Sequence, residues 1–192
     1  EQRDSVAGLE RGFVIALLVI FTLLAIPLKS YIQPLIIMTA IPFGVVGAIW
    51  GHVIMGMDLT ILSMFGLVAL SGVVVNDSLV LVDFINRKRR AEVSLAAAVC
   101  EAGRARFRPI LLTSVTTFLG LTPLLLEKSL QAQFLIPMAV SLAFGVLFAT
   151  FISLLIVPAI YLIIDDVTHL VASLRGEREP VERESFDETM VS

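Results

Sequence analysis

The sequence predicts an all-α integral membrane protein with five transmembrane helices. Apolar residues make up 57% of the chain, compared with about 45–50% in soluble domains. Charged residues make up only 16%, and they occur in clumps rather than evenly along the chain. The apolar residues fall into five runs, each close to or above the length of about 20 residues that a helix needs to cross the hydrocarbon core.

The five predicted spans are separated by polar connections. They cover about residues 12–28, 34–56, 60–85, 109–126 and 134–164. Most connections are only a few residues long, so we expect consecutive spans to run antiparallel. The fifth run is longer than a span needs, and we expect it to tilt or to extend beyond the lipid.

The distribution of Lys and Arg predicts the orientation. If the chain starts outside, eleven of its 14 cations lie on the inner side, and the outer side keeps only Arg3, Arg11 and Lys128. The positive-inside rule therefore places residues 1–11 outside, as a helix end, and 165–192 inside, as a cytoplasmic tail. Between the third and fourth spans, residues 91–103 are too weakly apolar to cross. They predict an amphipathic helix on the cytoplasmic surface.

The third span contains the first candidates for function. Asn76 and Asp77 lie inside the apolar run, and Asp77 is about 13 Å before the run ends at Asn86. An Asp near the bilayer centre costs roughly 2.5–3.5 kcal/mol, so an intramembrane acid is a functional hypothesis by default. A carboxyl there that titrates and meets water can carry protons. The alternative is a structural Asp that is protonated or hydrogen-bonded between helices.

The fourth span carries a stripe of hydroxyl groups. Thr113 and Thr117 are four residues apart and therefore share one face of the helix. Counting inward from Arg108 places Thr117 at the depth of Asp77, and Thr113 about 6 Å nearer the cytoplasm. These hydroxyls either pass protons through water or bond to carbonyls of their own helix. Arg106 is either a headgroup anchor or part of a positive funnel at the end of a proton path.

The remaining features predict packing rather than chemistry. Gly47 and Gly51 form a small-xxx-small pair, which is typical of close helix packing. Cys100 is the one cysteine, so no internal disulfide is possible. The six Met residues are scattered without a ligand cluster, which argues against a metal pathway. The sequence has no phosphate loop, Ser–His–Asp set or zinc spacing, so we expect neither an enzyme nor a cofactor.

Several stretches resemble the last part of the resistance–nodulation–division (RND) efflux pumps, in particular the acriflavine-resistance-like type that exports amphiphilic drugs. They are IPLKSYIQPLIIMTAIPFGVVGA, GVVVNDSLVLVDFINRKRR, EAGRARFRPILLTSVTTFLGLTPLL and QAQFLIPMAVSLAFGVLFATFISLLIVPAIYL. The resemblance covers about residues 8–164. It implies a fragment that supplies the last five of twelve membrane helices in a pump of the bacterial inner membrane, with its N-terminus periplasmic and its C-terminus cytoplasmic.

The resemblance also implies partners. Family members are homotrimers, embedded in membrane lipids, that exchange protons for exported compounds. Many join a periplasmic adaptor protein and an outer-membrane channel. The missing N-terminal half would bring a pair of aspartates on the fourth helix, so the fragment alone is not expected to transport. Nucleic acid is not an expected partner.

One departure from the family bears on the proton relay. Arg106 and Thr113 match the family's arginine and threonine on the eleventh helix. The best-known drug pumps carry a lysine on the tenth helix where this chain has Asn76, and NDSLVLVDF resembles the aspartate motif of the fourth helix. We therefore expect a relay of Asp77, Asn76, Thr113, Thr117 and Arg106. In it Asp77 titrates and Asn76 is its neutral hydrogen-bonding partner.

Other interpretations stay open at this point. One is an RND relative that exports lipids or assists protein secretion. Another is a non-transporting membrane scaffold in which Asp77 only pairs helices. An intramembrane aspartyl protease would need a second, opposed aspartate on another helix, which these spans lack. The sequence determines neither the substrate, nor the adaptor, nor whether protons or sodium ions drive the cycle.

Overall fold

The computed structural model describes residues 2–91 and 94–174, with side chains for 7–91, 94–164 and 166–167. Its regular structure in these ranges is entirely helical. The helices are α1 (Gln2–Leu28), α2 (Ile32–Met38), α3 (Ala40–Met55), α4 (Ile61–Arg90), α5 (Leu95–Leu125), α6 (Leu130–Gln133) and α7 (Ile136–Leu174).

Five stretches of the described chain are long and apolar enough to cross a membrane. They are Ala7–Leu28, Ile32–Met55, Ile61–Arg90, Leu95–Leu125 and Ile136–Ile164. The predicted fold class is therefore confirmed. Each stretch carries one of the predicted spans, although the first, third and fourth are longer than the sequence indicated.

The second span is divided between α2 and α3 at Thr39. Pro42 has no N–H for the carbonyl of Met38, so one helical hydrogen bond is lost at this point. The backbone N–H of Thr39 donates to the carbonyls of Leu35 at 3.1 Å and Ile36 at 3.2 Å, which tightens the turn. The Thr39 hydroxyl also donates to the carbonyl of Ile36 at 2.6 Å. Thr39 keeps helical backbone angles (φ −61°, ψ −19°), so the span continues from α2 into α3 on a helical path.

The α5 helix differs from its prediction. The sequence predicts a surface helix at 91–103 and a separate span from 109. The structure instead has one helix from Leu95 to Leu125, with Pro109 inside it. A single proline removes one backbone hydrogen bond, and the arginines just before it are good helix formers, so the helix continues. Of the predicted cytoplasmic tail, 165–174 continue α7, and 175–192 lie outside the described residues.

The α7 helix is the centre of the bundle and packs against α3, α4 and α5. Glycines let the other helices approach it closely. A Cβ on Gly47 would overlap the side chain of Phe148, and a Cβ on Gly51 would lie 2.5 Å from the Cβ of Phe144. On α4, a Cβ on Gly66 would lie 2.5 Å from the carbonyl oxygen of Met138.

Contacts between side chains give the relative heights of the helices. The Arg106 guanidinium of α5 lies 5.1 Å from the ring centroid of Phe84 on α4. The α5 helix runs antiparallel to α4, because Glu101, earlier on α5, pairs with Lys88, later on α4. The α7 helix runs parallel to α4, because Gly66 meets Met138 near their starts and Asn86 meets Tyr161 further along.

Most of the cations of the described residues lie at one end of the bundle. We call this the basic end. It holds Lys29, the last turn of α4 at 87–90, and the arginines at 104, 106 and 108. The opposite end holds the connections at 56–60 and 126–129.

Candidate functional site

Asp77 lies on the buried face of α4, near the middle of the helix. Asp77 is 7% exposed, and it lies on the same face of α4 as the buried residues Leu70, Val74 and Leu81. From Asp77 to the start of α4 is about 24 Å and to its end about 20 Å. Asn76 is one residue away and therefore turns to another side of the helix, where it is exposed.

The register between α4 and α5 places Thr113, and not Thr117, at the depth of Asp77. Phe84 and Arg106 face each other, and moving seven residues inward from each reaches Asp77 and Thr113. Thr117 lies about 6 Å further from the basic end. The count from the sequence was wrong by about one turn, because it took Arg108 as the membrane edge.

The predicted threonines on α5 bond to their own helix. The hydroxyl of Thr113 donates to the carbonyl of Pro109 at 3.0 Å, and that of Thr117 donates to the carbonyl of Thr113 at 2.8 Å. Thr116 makes the same kind of bond to Leu112 at 2.8 Å. Within the described residues, none of these hydroxyls reaches Asp77.

A different hydroxyl pair joins α5 to α7 inside the bundle. Ser114 and Thr150 are both buried, and their oxygens are 2.5 Å apart. The Ser114 hydroxyl also contacts the carbonyl of Ile110 at 3.1 Å. If Ser114 donates to that carbonyl, Thr150 must donate to Ser114, since each hydroxyl has one hydrogen.

Ser114 and Thr150 also lie near the height of Asp77. Ser114 follows Thr113 directly, and the parallel register of α4 and α7 places Thr150 and Ser153 near the level of Asp77. We call this group the polar layer. It consists of Asp77, Ser78, Ser114, Thr150 and Ser153, all buried.

The sequence reasoning missed Ser114 and Thr150. The sequence carried no signal for Ser114, because it lies three residues before Thr117 and the spacing does not separate the two on α5.

The carboxyl of Asp77 has no hydrogen bond or ion pair within the part of the chain that the structure describes. The neighbouring hydroxyl of Ser78 is also buried and lacks a partner there. Burying an ionised carboxylate without a partner is costly, whereas a neutral carboxyl costs much less. The site is therefore suited to hold a proton until water or a cation reaches it.

Arg106 lies away from Asp77. Its guanidinium stacks on Phe84, and its Nε atom is buried with no partner within the described residues. Lys88 approaches the same ring at 5.7 Å and forms an ion pair with Glu101 at 2.5 Å. Arg106 is thus about 10 Å nearer the basic end than Asp77, measured along the helix axis.

A second buried polar group fastens α3 to the start of α4. The ring of His52 contacts the carbonyl of Ala48 through Nδ1 at 2.9 Å and the hydroxyl of Ser63 through Nε2 at 2.8 Å. The Ser63 hydroxyl accepts from the backbone N–H of Thr60 at 3.1 Å. His52 is therefore held as a packing residue. Among the described residues, no group of three or more His, Cys, Asp or Glu is placed to hold a metal ion.

Comparison with known proteins places this bundle in a family. The model of the AcrB/AcrD/AcrF family matches residues 1–165, which include the whole polar layer. The chain belongs to the AcrB/AcrD/AcrF family. The resemblance to RND pumps that the sequence showed is therefore confirmed at the level of the family.

Solved structures agree with this AcrB/AcrD/AcrF assignment. One crystal form of a heavy metal efflux pump superposes on 86% of the chain with a TM-score of 0.77, and another on 85% with a TM-score of 0.76. The sequence identity is 30% in both cases, and the chain spans 16% of that pump. These relatives are efflux pumps rather than enzymes, which agrees with the expectation that this chain is not an enzyme.

Proposed function

We propose that this chain is part of the membrane domain of a proton-coupled RND exporter and that Asp77 carries the proton. The observation that supports this most is the buried, unpartnered carboxyl in the middle of α4. Intramembrane acids are rare because of their cost, and those that persist commonly mark ion pathways or proton relays. Membership of an efflux family supports the same function.

The proposed cycle depends on access of water to the polar layer. While the layer is dry, Asp77 stays neutral. When a rearrangement of the helices admits water or a cation from one side, the free-energy cost of the ionised carboxylate falls and the proton leaves. Such alternation couples proton flow to the conformational change that moves the substrate.

The other predicted relay residues have distinct places in this proposal. Asn76, Thr113 and Thr117 lie at or near the outer surface of the bundle, Thr113 at the depth of Asp77. We propose that the N-terminal half of the transporter, with its fourth-helix aspartates, meets them there. Arg106 would attract water and anions at the basic end of the path.

Membership of the family also supports a proposal for the location and the assembly. We propose the bacterial inner membrane, with the basic end cytoplasmic because that end collects the cations. We further propose a homotrimer that works with a periplasmic adaptor and an outer-membrane channel.

The test substitutes Asp77→Asn in the full-length transporter, which keeps the shape and removes the titration. We expect dye export from energised cells to fall to background while the amount of protein in the membrane is unchanged. Asp83→Asn is the matched control, since Asp83 lies on the same helix at the basic end, half-exposed and paired with Arg87 at 2.6 Å. Normal export by Asp77→Asn would remove Asp77 from the mechanism, and loss of assembly would favour the scaffold.

For the substrate we propose amphiphilic organic compounds, in line with the drug-exporting type that the sequence resembles. A second candidate is metal export, because the two solved structures compared above are of a heavy metal efflux pump. Growth of cells with and without the transporter, in graded dye, zinc or copper, separates the two. Protection against metal alone would favour the second candidate.

A further inference from the structure

A hydrogen-bonded path joins the buried ring of His52 to the surface at the end of the bundle opposite the basic end. His52 is 2% exposed, whereas Thr60, which begins α4, is exposed. Between them, the hydroxyl oxygen of Ser63 lies 2.8 Å from Nε2 of His52 and 3.3 Å from the hydroxyl oxygen of Thr60. Two hydroxyl groups in series therefore connect the ring to the surface.

The contacts of the ring determine which nitrogen carries its hydrogen. Nδ1 is 2.9 Å from the carbonyl oxygen of Ala48, which can only accept, so Nδ1 is the donor. Nε2 of the neutral ring is then an acceptor, and the Ser63 hydroxyl donates to it. The Ser63 oxygen in turn accepts from the backbone N–H of Thr60 at 3.1 Å. The neutral ring is thus fully hydrogen-bonded, and its basic nitrogen faces Ser63.

The same atoms form a second complete set of hydrogen bonds when the ring is protonated. Nε2–H then donates to the Ser63 oxygen, and the Ser63 hydroxyl turns to donate to the Thr60 oxygen. The bond from Nδ1–H to Ala48 and the bond from the backbone N–H of Thr60 to Ser63 are both kept. A buried cation is costly unless it is hydrogen-bonded, and here both N–H groups of the imidazolium have an acceptor. His52 can therefore change its charge without losing a hydrogen bond.

The two sets of hydrogen bonds differ by one proton, and the path can supply it. Hydronium at the surface gives a proton to the Thr60 oxygen, the hydroxyl proton of Thr60 passes to the Ser63 oxygen, and the hydroxyl proton of Ser63 passes to Nε2 of His52. Each hydroxyl group keeps one hydrogen, a water molecule is left at the surface, and the ring gains one positive charge. The reverse sequence returns the proton to the same side.

The charged side chains at this end of the bundle are not hydrogen-bonded to the ring within the described residues. The helices packed around it carry no Asp, Glu, Lys or Arg at 40–55, 61–76 or 136–164. Glu10 of α1 lines a cavity with Val45 of α3 and Met64 of α4, and its side chain is exposed. The other charged residues described at this end are also exposed, namely Arg11, Asp58, Glu127 and Lys128. The described hydrogen-bonding partners of the ring are therefore all neutral.

We propose that His52 is a proton-binding site that exchanges with the solution at this end of the bundle and adjusts transport to the pH there. Histidine is the side chain that ordinarily changes its charge between about pH 5 and about pH 8. The added charge lies among tightly packed helices and favours an arrangement in which water reaches this end of α3 and α4. Proton binding by His52 does not depend on Asp77, whereas its effect on transport rests on the proposed function.

The first measurement observes the ring itself. The full-length transporter is labelled with ¹⁵N in its histidines, and NMR of the membrane-embedded protein records the ring nitrogens from about pH 8 to about pH 5. We expect the signal of a neutral ring with its hydrogen on Nδ1 to convert to that of imidazolium, and this signal to be missing in His52→Gln. It should be unchanged in Asp77→Asn. A ring that stays neutral over the whole range, or one with its hydrogen on Nε2, would overturn the site.

The second measurement follows dye export from vesicles while the pH on both sides is shifted together, so that the pH difference across the membrane stays fixed. We expect His52→Gln to lose the dependence of export on pH, because its amide does not titrate. Thr60→Val breaks the path and should act in the same direction. Thr60→Ser is the matched control, since it keeps the hydroxyl and should keep the dependence.

The unfolding temperature of each variant checks that it is folded. An unchanged pH profile in His52→Gln would overturn the effect on transport, and equal profiles in Thr60→Val and Thr60→Ser would overturn the path. Export that survives Asp77→Asn would contradict the proposed function alone, because the NMR signal of His52 tests proton binding independently.

Discussion

Asp77 on α4 and Thr113 on α5 lie at the same depth in the bundle, but they face in opposite directions. On α4, Asp77 faces the interior and has no partner within the described residues. On α5, Thr113 and Thr116 face outward and bond to carbonyls of their own helix. The two helices were expected to form one relay, and the structure divides it between an interior face and an outer face.

The difference shows that the cost of a polar residue depends on its partners and not only on its depth. A threonine hydroxyl can form a hydrogen bond within its own helix, because the carbonyl four residues back is within reach. A carboxyl has no such local partner in the middle of a helix. Asp77 therefore needs a functional explanation, whereas Thr113 and Thr116 are explained by the geometry of a helix.

The largest expected effect tests whether α4 is the packed helix and α5 the open one. In Gly66→Leu, the new Cβ would lie 2.5 Å from the carbonyl oxygen of Met138 and 2.8 Å from the Cβ of Ser141. Since backbone cannot easily move, we expect a loss of about 3 kcal/mol, the upper part of the range for overpacking. Thermal unfolding of the full-length transporter measures it.

Gly120→Leu on α5 is the matched control for this substitution. A Cβ there meets nothing within 4 Å among the described residues. Leu also has a better helix propensity than Gly by about 0.8 kcal/mol, so we expect no loss. A clear loss at Gly120 would show that another part of the transporter packs on the outer face of α5, and it would weaken the contrast between the two helices.

The second effect concerns the buried hydroxyl contact between Ser114 on α5 and Thr150 on α7. Thr150→Val removes the contact and keeps the shape, and we expect a loss of about 1 kcal/mol. A double-mutant cycle with Ser114→Ala measures the coupling directly, and Thr116→Val, which has an own-helix bond, is the control. Coupling near zero would mean that the short contact does not hold α5 to α7.

Much of the fold was predictable because it depends on a strong and repeated signal. Five long apolar runs predict five helices, and no detail of packing is needed to see them. The ends of α5 were harder to predict, since Arg104 and Arg108 suggest a membrane surface although they do not end a helix. Hydropathy reports where lipid is tolerated, while a helix ends only where hydrogen bonding ends.

The site was predictable in part for a similar reason. Asp77 is conspicuous, because any acid in an apolar run is costly. The Ser114–Thr150 contact was not predicted, since the sequence does not show which face of a span a single Ser or Thr occupies. The depth of Thr113 relative to Asp77 is set by the contact between Phe84 and Arg106, which joins residues far apart in sequence. No count along one helix reveals such a register.

The third effect has the opposite sign and concerns α4. The buried hydroxyl of Ser78 has no partner within the described residues, so Ser78→Ala should stabilise the protein by up to about 1 kcal/mol. Ser71→Ala is the control on the same helix, because the Ser71 hydroxyl donates to the carbonyl of Val68 at 2.6 Å. Destabilisation by Ser78→Ala would indicate that this hydroxyl has a partner in the full-length transporter, with Asp77 the first candidate.

A fourth and smaller effect is expected from the outer stripe of α5. Thr113→Val and Thr116→Val each remove a hydroxyl that bonds to its own helix and faces outward. We expect changes below about 0.5 kcal/mol in the free energy of unfolding, the usual size for surface substitutions. Dye export is measured on the same variants. A loss of export at unchanged stability would return Thr113 to the relay, through contacts with the N-terminal half.

The smallest effect comes from Glu127, a carboxylate that has the donors Asp77 lacks. The backbone N–H groups of Ser129 and Lys128 donate to one of its oxygens at 3.0 and 2.9 Å and lower the pKa of Glu127 below its ordinary 4.5. A lowered pKa contributes stability that is present above 4.5 and is lost as the pH falls through the folded-state value.

The unfolding temperature of Glu127→Gln should therefore lie slightly below that of the unchanged transporter at neutral pH, and the two should converge in acid. Asp58→Asn, at the same end of the bundle, is the control for a general effect of lost charge. A difference that grows in acid would contradict the assignment. The contrast with Asp77 is physical: two backbone amides donate to the carboxylate of Glu127, whereas the carboxyl of Asp77 has no hydrogen bond or ion pair within the described residues.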